Sequence, residues 1–161
     1  MPSRPVLLYP DARLKQVAVH AQPADVERVG RDLADTMDEL GHCVGLAAPQ
    51  IDAGVRLVIV DVSGHPKAPE SNGRLLLANP RVASGEGAEV GREGCLSIPD
   101  LTANVRRATS IVVEHSGGTV VSSGFEARCL QHEIDHLDGV LFLDRVASIV
   151  DDVFRRKTYS G

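Results

Sequence analysis

An α+β fold, with antiparallel sheets packed around a central helix, is predicted for this 161-residue chain by three observations. Apolar residues recur at helical spacing near both ends. Short β-branched runs fill the middle, and one late helical segment is apolar over more than half its circumference. A helix of that last kind must be covered on two sides, which suits enclosure by sheets better than a place on the surface.

The elements follow in order. After an extended opening and the turn-prone "YPDARL", Pro23 precedes Val26, Val29, Leu33, Met37 and Leu40 at helical spacing, and Gly41 is placed to end that amphipathic helix. The runs "VRLVIVDV" (55–62), "RLLLANPRV" (74–82), "SIVVEH" (110–115) and "GTVVSS" (118–123) predict antiparallel strands, because β-branched clusters alternate with Gly, Pro, Ser and Asn. "HPKAPESNG" (65–73) is too rich in Pro and polar residues for either element and predicts a surface loop. The central helix has Ser123 and Glu126 placed for a capping box and Gly139 for a left-handed C-terminal cap. Val146, Ile149, Val150, Val153 and Phe154 predict a terminal helix whose last turn carries Arg155-Arg156-Lys157, a run favourable to the helix dipole. With no repeat and no long linker, the chain reads as one domain over 1–161.

Composition limits the function. Hydrophobic residues make up 43% but aromatics only 3%, so the core must be built from Val, Leu, Ile and Ala. A net charge of -5 with scattered basic residues lacks the footprint of a nucleic-acid binder. "VLLY" is too short for a signal core or a membrane span, and the chain reads as soluble and unexported. Three cysteines, Cys43, Cys95 and Cys129, are an odd set without paired spacing, which predicts reduced thiols in a cytoplasm-like compartment.

The chemistry centres on "QHEIDHLDG" (131–139). At about 100° per residue, Phe125, Cys129, His132, Glu133 and His136 share one side of the helix, with Ala127, Leu130, Ile134 and Leu137 adjoining them. Arg128, Gln131, Asp135 and Asp138 are left for a polar edge. The histidines therefore point inward, where an imidazole needs a hydrogen bond or a metal. Two histidines one turn apart bring two ring nitrogens to one ion, and the glutamate beside the first can act on a water there as proton acceptor. A third protein ligand is required. His20, His42, His65, His115, Cys43, Cys95, Cys129 and the carboxylates are candidates, and Cys95 in the strand-like "REGCLSIPD" (92–100) has the most suggestive setting. There the backbone N–H of Leu96 is placed to point at the same site, whereas Cys129, one turn before His132, suits the lining of a pocket. "CVGLAAPQ" (43–50) is made of small residues ending in an amide, suited to backbone lying close to something else.

Together, "GLAAPQ", "EGCLS" and "QHEIDH", in this order, resemble the three signature motifs of the peptide deformylase family, in its compact bacterial form. The resemblance extends through "YPDARL", "LLLANPRV", "GFEARCLQHE" and "HLDGVLFLDRV". It implies a metal-dependent hydrolase that removes the formyl group from formyl-methionyl peptides or nascent chains at the ribosome, in the cytoplasm. It implies that Cys95, His132 and His136 bind one divalent ion, often Fe(II), with Zn(II), Ni(II) or Co(II) able to substitute. Gln50 and the Leu96 N–H would stabilise the oxyanion, and Glu133 would carry the proton. Val44 and Gly45 would pair with the substrate backbone as an added strand, flanked by Cys43 and Cys129. Glu93 would take a structural role beside the metal loop. The family's first motif usually begins Gly-x-Gly, and Cys43 replaces that first glycine, where a required positive φ would strain it. A His-Glu-x-x-His peptidase with a downstream ligand among Asp138, Asp144, Asp151 and Asp152 is one alternative, and an inactive binding protein of the same fold is the other.

Overall fold

The 3.6-residue periodicity between Pro23 and Leu40 forms helix α1 (Pro23–Leu40), which Gly41 ends with φ +75° and an N–H donated back to the Met37 carbonyl. The structure, a computed structural model, describes residues 3–156. Along it follow β1 (Gly45–Ala47), β2 (Leu57–Val60), β3 (Leu75–Ala78), β4 (Arg81–Glu86), β5 (Glu89–Cys95), β6 (Ile98–Arg107), β7 (Ser110–His115) and β8 (Gly118–Ser123). Helix α2 (Gly124–Leu137), the single-turn α3 (Ile149–Asp152) and β9 (Val153–Arg155) complete it. Three antiparallel sheets result, ordered β1-β2-β3, β4-β7-β8 and β5-β6-β9.

The side-chain period of two in a strand explains the layering. In β2, Leu57 and Ile59 face α1 and pack with Val29, Leu33 and Met37, while Val58 and Val60 face α2 and pack with Leu130, Ile134 and Leu137. All four are buried, so β2 reads as a continuous apolar run. The second sheet closes α2 from another side with Ile111 and Val113. A third cluster, with Leu14, Ile98, Val105, Leu141 and Phe142, encloses Cys95. The central helix is thus enclosed by sheets as its composition predicts, and ten of its residues are buried.

Four local expectations are corrected. The run 74–82 is not one strand. Asn79 takes φ +54°, and its side chain bonds the Ala21 N–H, the Ala21 carbonyl and Ser116, so the chain breaks there and passes from the first sheet into the second. The capping box at α2 does not form: Ser123 makes no side-chain cap bond, because Glu126 instead accepts from the Asn72 N–H, Asn72 Nδ2 and Ser122 Oγ. Those bonds fasten the 65–73 loop to the helix. The terminal helix shrinks to one turn, since Val153–Arg155 pairs with Leu101–Ala103 as an edge strand. Arg155 therefore sits in β9 and Lys157 lies outside the described residues, so the dipole role of the basic run does not hold. The strand-like reading of 92–100, in contrast, holds and extends: β5 and β6 form the longest pairing among the described residues, although glycines and charges interrupt its β-branched pattern.

Candidate metal centre

Two elements bring the metal-binding chemistry together. Helix α2 presents His132 and His136 one turn apart, and β5 ends at Cys95, just before the two-residue turn Leu96-Ser97 into β6. The ligating atoms of Cys95, His132 and His136 all lie within 4.8 Å of one another, and all three residues are buried. Among the described residues no other His, Cys, Asp or Glu joins them. Asp144, the downstream alternative, instead accepts the Leu141 N–H and pairs with Lys15.

The donor set fits a divalent transition ion. Cys95 Sγ and His136 Nε2 are 3.5 Å apart. Metal–nitrogen and metal–sulfur bonds of about 2.0 and 2.3 Å meeting at a tetrahedral angle require roughly that separation. His132 Nδ1 lies 3.0 Å from Glu93 Oε1, which fixes the ring and turns Nε2 toward the site. Burial holds His136 well below its ordinary pKa, as the neutral ring a metal needs. At His132 burial pulls the same way, but the Glu133 charge and bonds to Cys95 and Glu93 outweigh it and raise the ring well above its usual range. A metal at Nε2 would displace that proton.

Glu133 does not join the ligands. It is buried, Oε1 has no hydrogen-bond partner among the described residues, and burial with help from Glu93 pushes its pKa up to about 7 against the pull of His132. Its approach to β1 explains Gly45: a Cβ there would lie 2.6 Å from Glu133 Oε2. Gln50 is buried in the one-turn helix after β1. Its Oε1 accepts the Ala47 N–H at 2.9 Å, so its amide nitrogen faces Ser97 Oγ at 3.1 Å and Cys95 Sγ at 3.5 Å. Leu96 lies outside the ladder and lines, with Cys43, Val44, Gly45, Gln50 and Cys129, a cavity of about 320 Å³ that reaches Cys95, His132 and Glu133.

Two features escaped the sequence reading. Ser97, fully buried, helps to orient Gln50, and its place in "EGCLS" gave no hint of a partner 47 residues away. Behind His132, Glu93 receives Arg107 through two nitrogens at 2.8 and 2.9 Å and Arg128 at 2.7 Å, while Arg107 continues to Asp135 at 2.6 Å and Asp135 to Arg145. Asp135, expected on a polar edge, is buried in this chain of charges. Cys43 needs no positive φ; its backbone is ordinary, and its thiol donates to the Gly45 carbonyl at 3.1 Å. Burial raises that thiol's pKa to about 12.

Residues 3–151 match the family model of polypeptide deformylase. The chain belongs to that family. A peptide deformylase of Rhizobium meliloti is 41% identical over 98% of this chain and 92% of its own, and one of Xylella fastidiosa is 40% identical over 95% and 92%. The fold agrees: the Acinetobacter baumannii class I type b peptide deformylase bound to Met-Ala-Ser superposes with a TM-score of 0.80 at 33% identity, covering 89% of this chain and 98% of that one. The deformylase is accordingly a metal-dependent hydrolase of N-terminal formyl groups, and its Cys95, His132 and His136 form a group able to hold a divalent ion.

Proposed function

We propose that Cys95, His132 and His136 are the complete protein ligand set of one divalent ion, and that Glu133, Gln50 and Leu96 perform the chemistry of formyl hydrolysis beside it. One observation carries the reading: a thiol and two imidazoles converge from separate elements next to a buried carboxylate with an unpartnered oxygen. The bound ion would make water nucleophilic at neutral pH and polarise the formyl oxygen. Sulfur and nitrogen donors disfavour Mg(II) and Ca(II) and accommodate Fe(II), Zn(II), Ni(II) and Co(II). Fe(II) is our choice for the cell, on family resemblance.

The chain's own residues do the rest. Glu133 accepts the water proton and delivers it to the departing nitrogen, which leaves as the free amino terminus. The Gln50 amide, its oxygen anchored by Ala47, and the Leu96 N–H donate to the formyl oxygen as it gains negative charge. Among the described residues β1 pairs only with β2, so its outer edge can take the peptide as an added strand beside Val44 and Gly45. The Val44 carbonyl already accepts the Asp61 N–H and the Gly45 carbonyl the Cys43 thiol, so the peptide competes with Cys43 for the second. Cys43 and Cys129 line its path. The tripeptide bound by the Acinetobacter enzyme supports peptide occupancy of this groove.

The substrates in this reading are formylated peptides, including nascent chains at the ribosome. The three free cysteines suit a reducing cytoplasm, and the packing of α2 against the first two sheets, with Arg128 and His132 bonded to the third, suits one catalytic domain. No helix among the described residues is long and apolar enough to cross a membrane. Metal analysis of anaerobically purified protein with a formate-release assay tests the ligand set. Cys95→Ala should lose both metal and turnover, and Asp144→Ala should keep both. Metal retained by Cys95→Ala would overturn the assignment.

A further inference from the structure

The geometry points to a preference for formylated peptides that carry a carboxylate downstream of the first residue, read by Lys67, Arg92 and Arg156 at the catalytic groove. The inference rests on the peptide occupying that groove, as proposed above. These three cations come from the 65–73 loop, from β5 and from the residue after β9, yet all line the catalytic cavity. Among the described residues none has a carboxylate within ion-pair distance. Arg92 bonds only the neutral Asn104 and Thr102 side chains and stacks 3.7 Å from the Phe154 ring centroid. Lys67 Nζ stands 5.8 Å over the Phe125 ring. The Arg156 guanidinium crosses Gly94, where a Cβ would meet Nη2 at 1.9 Å, and so lies one residue from Cys95.

The carboxylates of the cavity do not neutralise them. Glu93 is engaged by Arg107, Arg128 and His132, which also accounts for Arg128, the fourth cation of the lining. Glu133 sits deep beside the ligands. Elsewhere basic residues commonly meet acids, as in Arg4–Asp32, Lys15–Asp144, Arg74–Asp38 and Arg81–Glu114. Unpaired positive charge at the groove of a chain with net charge -5 is a local field of the opposite sign to the whole. Such a field in a cleft raises the local concentration of anionic ligands and disfavours cationic ones. Guanidinium and ammonium groups anchored on aromatic rings keep donors free for a carboxylate.

The experiment compares kcat/KM for formyl-Met-Ala-Glu, formyl-Met-Ala-Gln and formyl-Met-Ala-Lys, each as the C-terminal amide, with formyl-Met-Ala-Gln as the free acid. The Glu amide should exceed the Lys amide by about 3–10-fold at low salt, mainly through KM, and the ratio should shrink at about 0.5 M salt. The free-acid arm separates a terminal carboxylate from a side-chain one. Combining Lys67→Gln, Arg92→Gln and Arg156→Gln should bring the ratio to about 1, and Lys67→Gln alone should lower it part of the way. Equal rates for the Glu and Lys amides in the wild type would overturn the inference, and so would the same fall in ratio with Arg31→Gln on α1. No turnover of the uncharged Gln amide would instead count against deformylation itself.

Discussion

Around helix α2 two sets of buried polar groups obey opposite rules. On one side the chain Arg128–Glu93–Arg107–Asp135–Arg145 satisfies its buried charges, with Glu93 held by two guanidinium groups at 2.7–2.9 Å. On the other, Glu133 Oε1 and His136 Nδ1 are buried without a hydrogen-bond partner among the described residues. Leaving a buried polar atom unsatisfied costs about 1–3 kcal/mol, more for a charge, so the second arrangement persists only where chemistry requires it. Under the proposed function the contrast separates scaffold from reacting groups: the paired side fixes His132 through Nδ1, and the unpaired side leaves Glu133 open to a substrate. Glu93 and Glu133 show the difference in one property, the first held near a pKa of about 2 and the second pushed up to about 7. Burial raises both, and only Glu93 has the arginine and histidine bonds that reverse it.

Glu133→Gln tests the open side most severely. Turnover should fall by about 10²–10⁴-fold, the usual contribution of general acid–base catalysis, while metal content stays at the wild-type level. Loss of the ion on this substitution would make Glu133 part of the ligand shell and erase the distinction. The paired side should break through stability instead. Arg107→Met removes the cation shared by Glu93 and Asp135 and leaves them to Arg128, His132 and the half-exposed Arg145, and removing one partner of a buried pair costs about 3–5 kcal/mol. Denaturant unfolding measures it, and a variant within 1 kcal/mol of wild type would show that water or Arg145 already replaces Arg107.

Glu93→Gln sharpens the comparison, because it joins the two sides. With the His132 ring less firmly oriented, metal affinity should weaken by about 10–100-fold, read by competition with a chelator. Unchanged affinity would confine Glu93 to the scaffold. The smallest effect is expected at Cys43, whose thiol occupies the Gly45 carbonyl at the proposed peptide edge. Cys43→Gly should lower KM for formyl-Met peptides by about 2–5-fold with kcat little changed, the pattern of altered binding and not of altered chemistry. Identical kinetics would leave Cys43 as packing against the α1 side of the core, where it also sits.

The sequence alone determined the helices with strong periodicity, α1 and α2, and their ends at Gly41 and Gly139. Each signal lies within a few residues of the backbone it governs. Gly139 shows why: its φ of +72° lies in the left-handed region that glycine adopts without strain. It also determined that His132, Glu133 and His136 share a face, since one helical turn fixes that relation without any partner. The proposed site residues, drawn from three distant motifs, were legible only because those motifs resemble a family, not because spacing joins position 50 to 95 or 132. Tertiary structure alone decided what depends on distant partners. Asn72 drew Glu126 away from its cap, β6 converted Val153–Arg155 from helix to strand, and Arg107 took Asp135 off the polar edge. In each case a local preference worth about 1 kcal/mol or less yielded to hydrogen bonds and ion pairs formed across the fold. Lys67, Arg92 and Arg156 likewise become one feature only when three segments meet at the cavity.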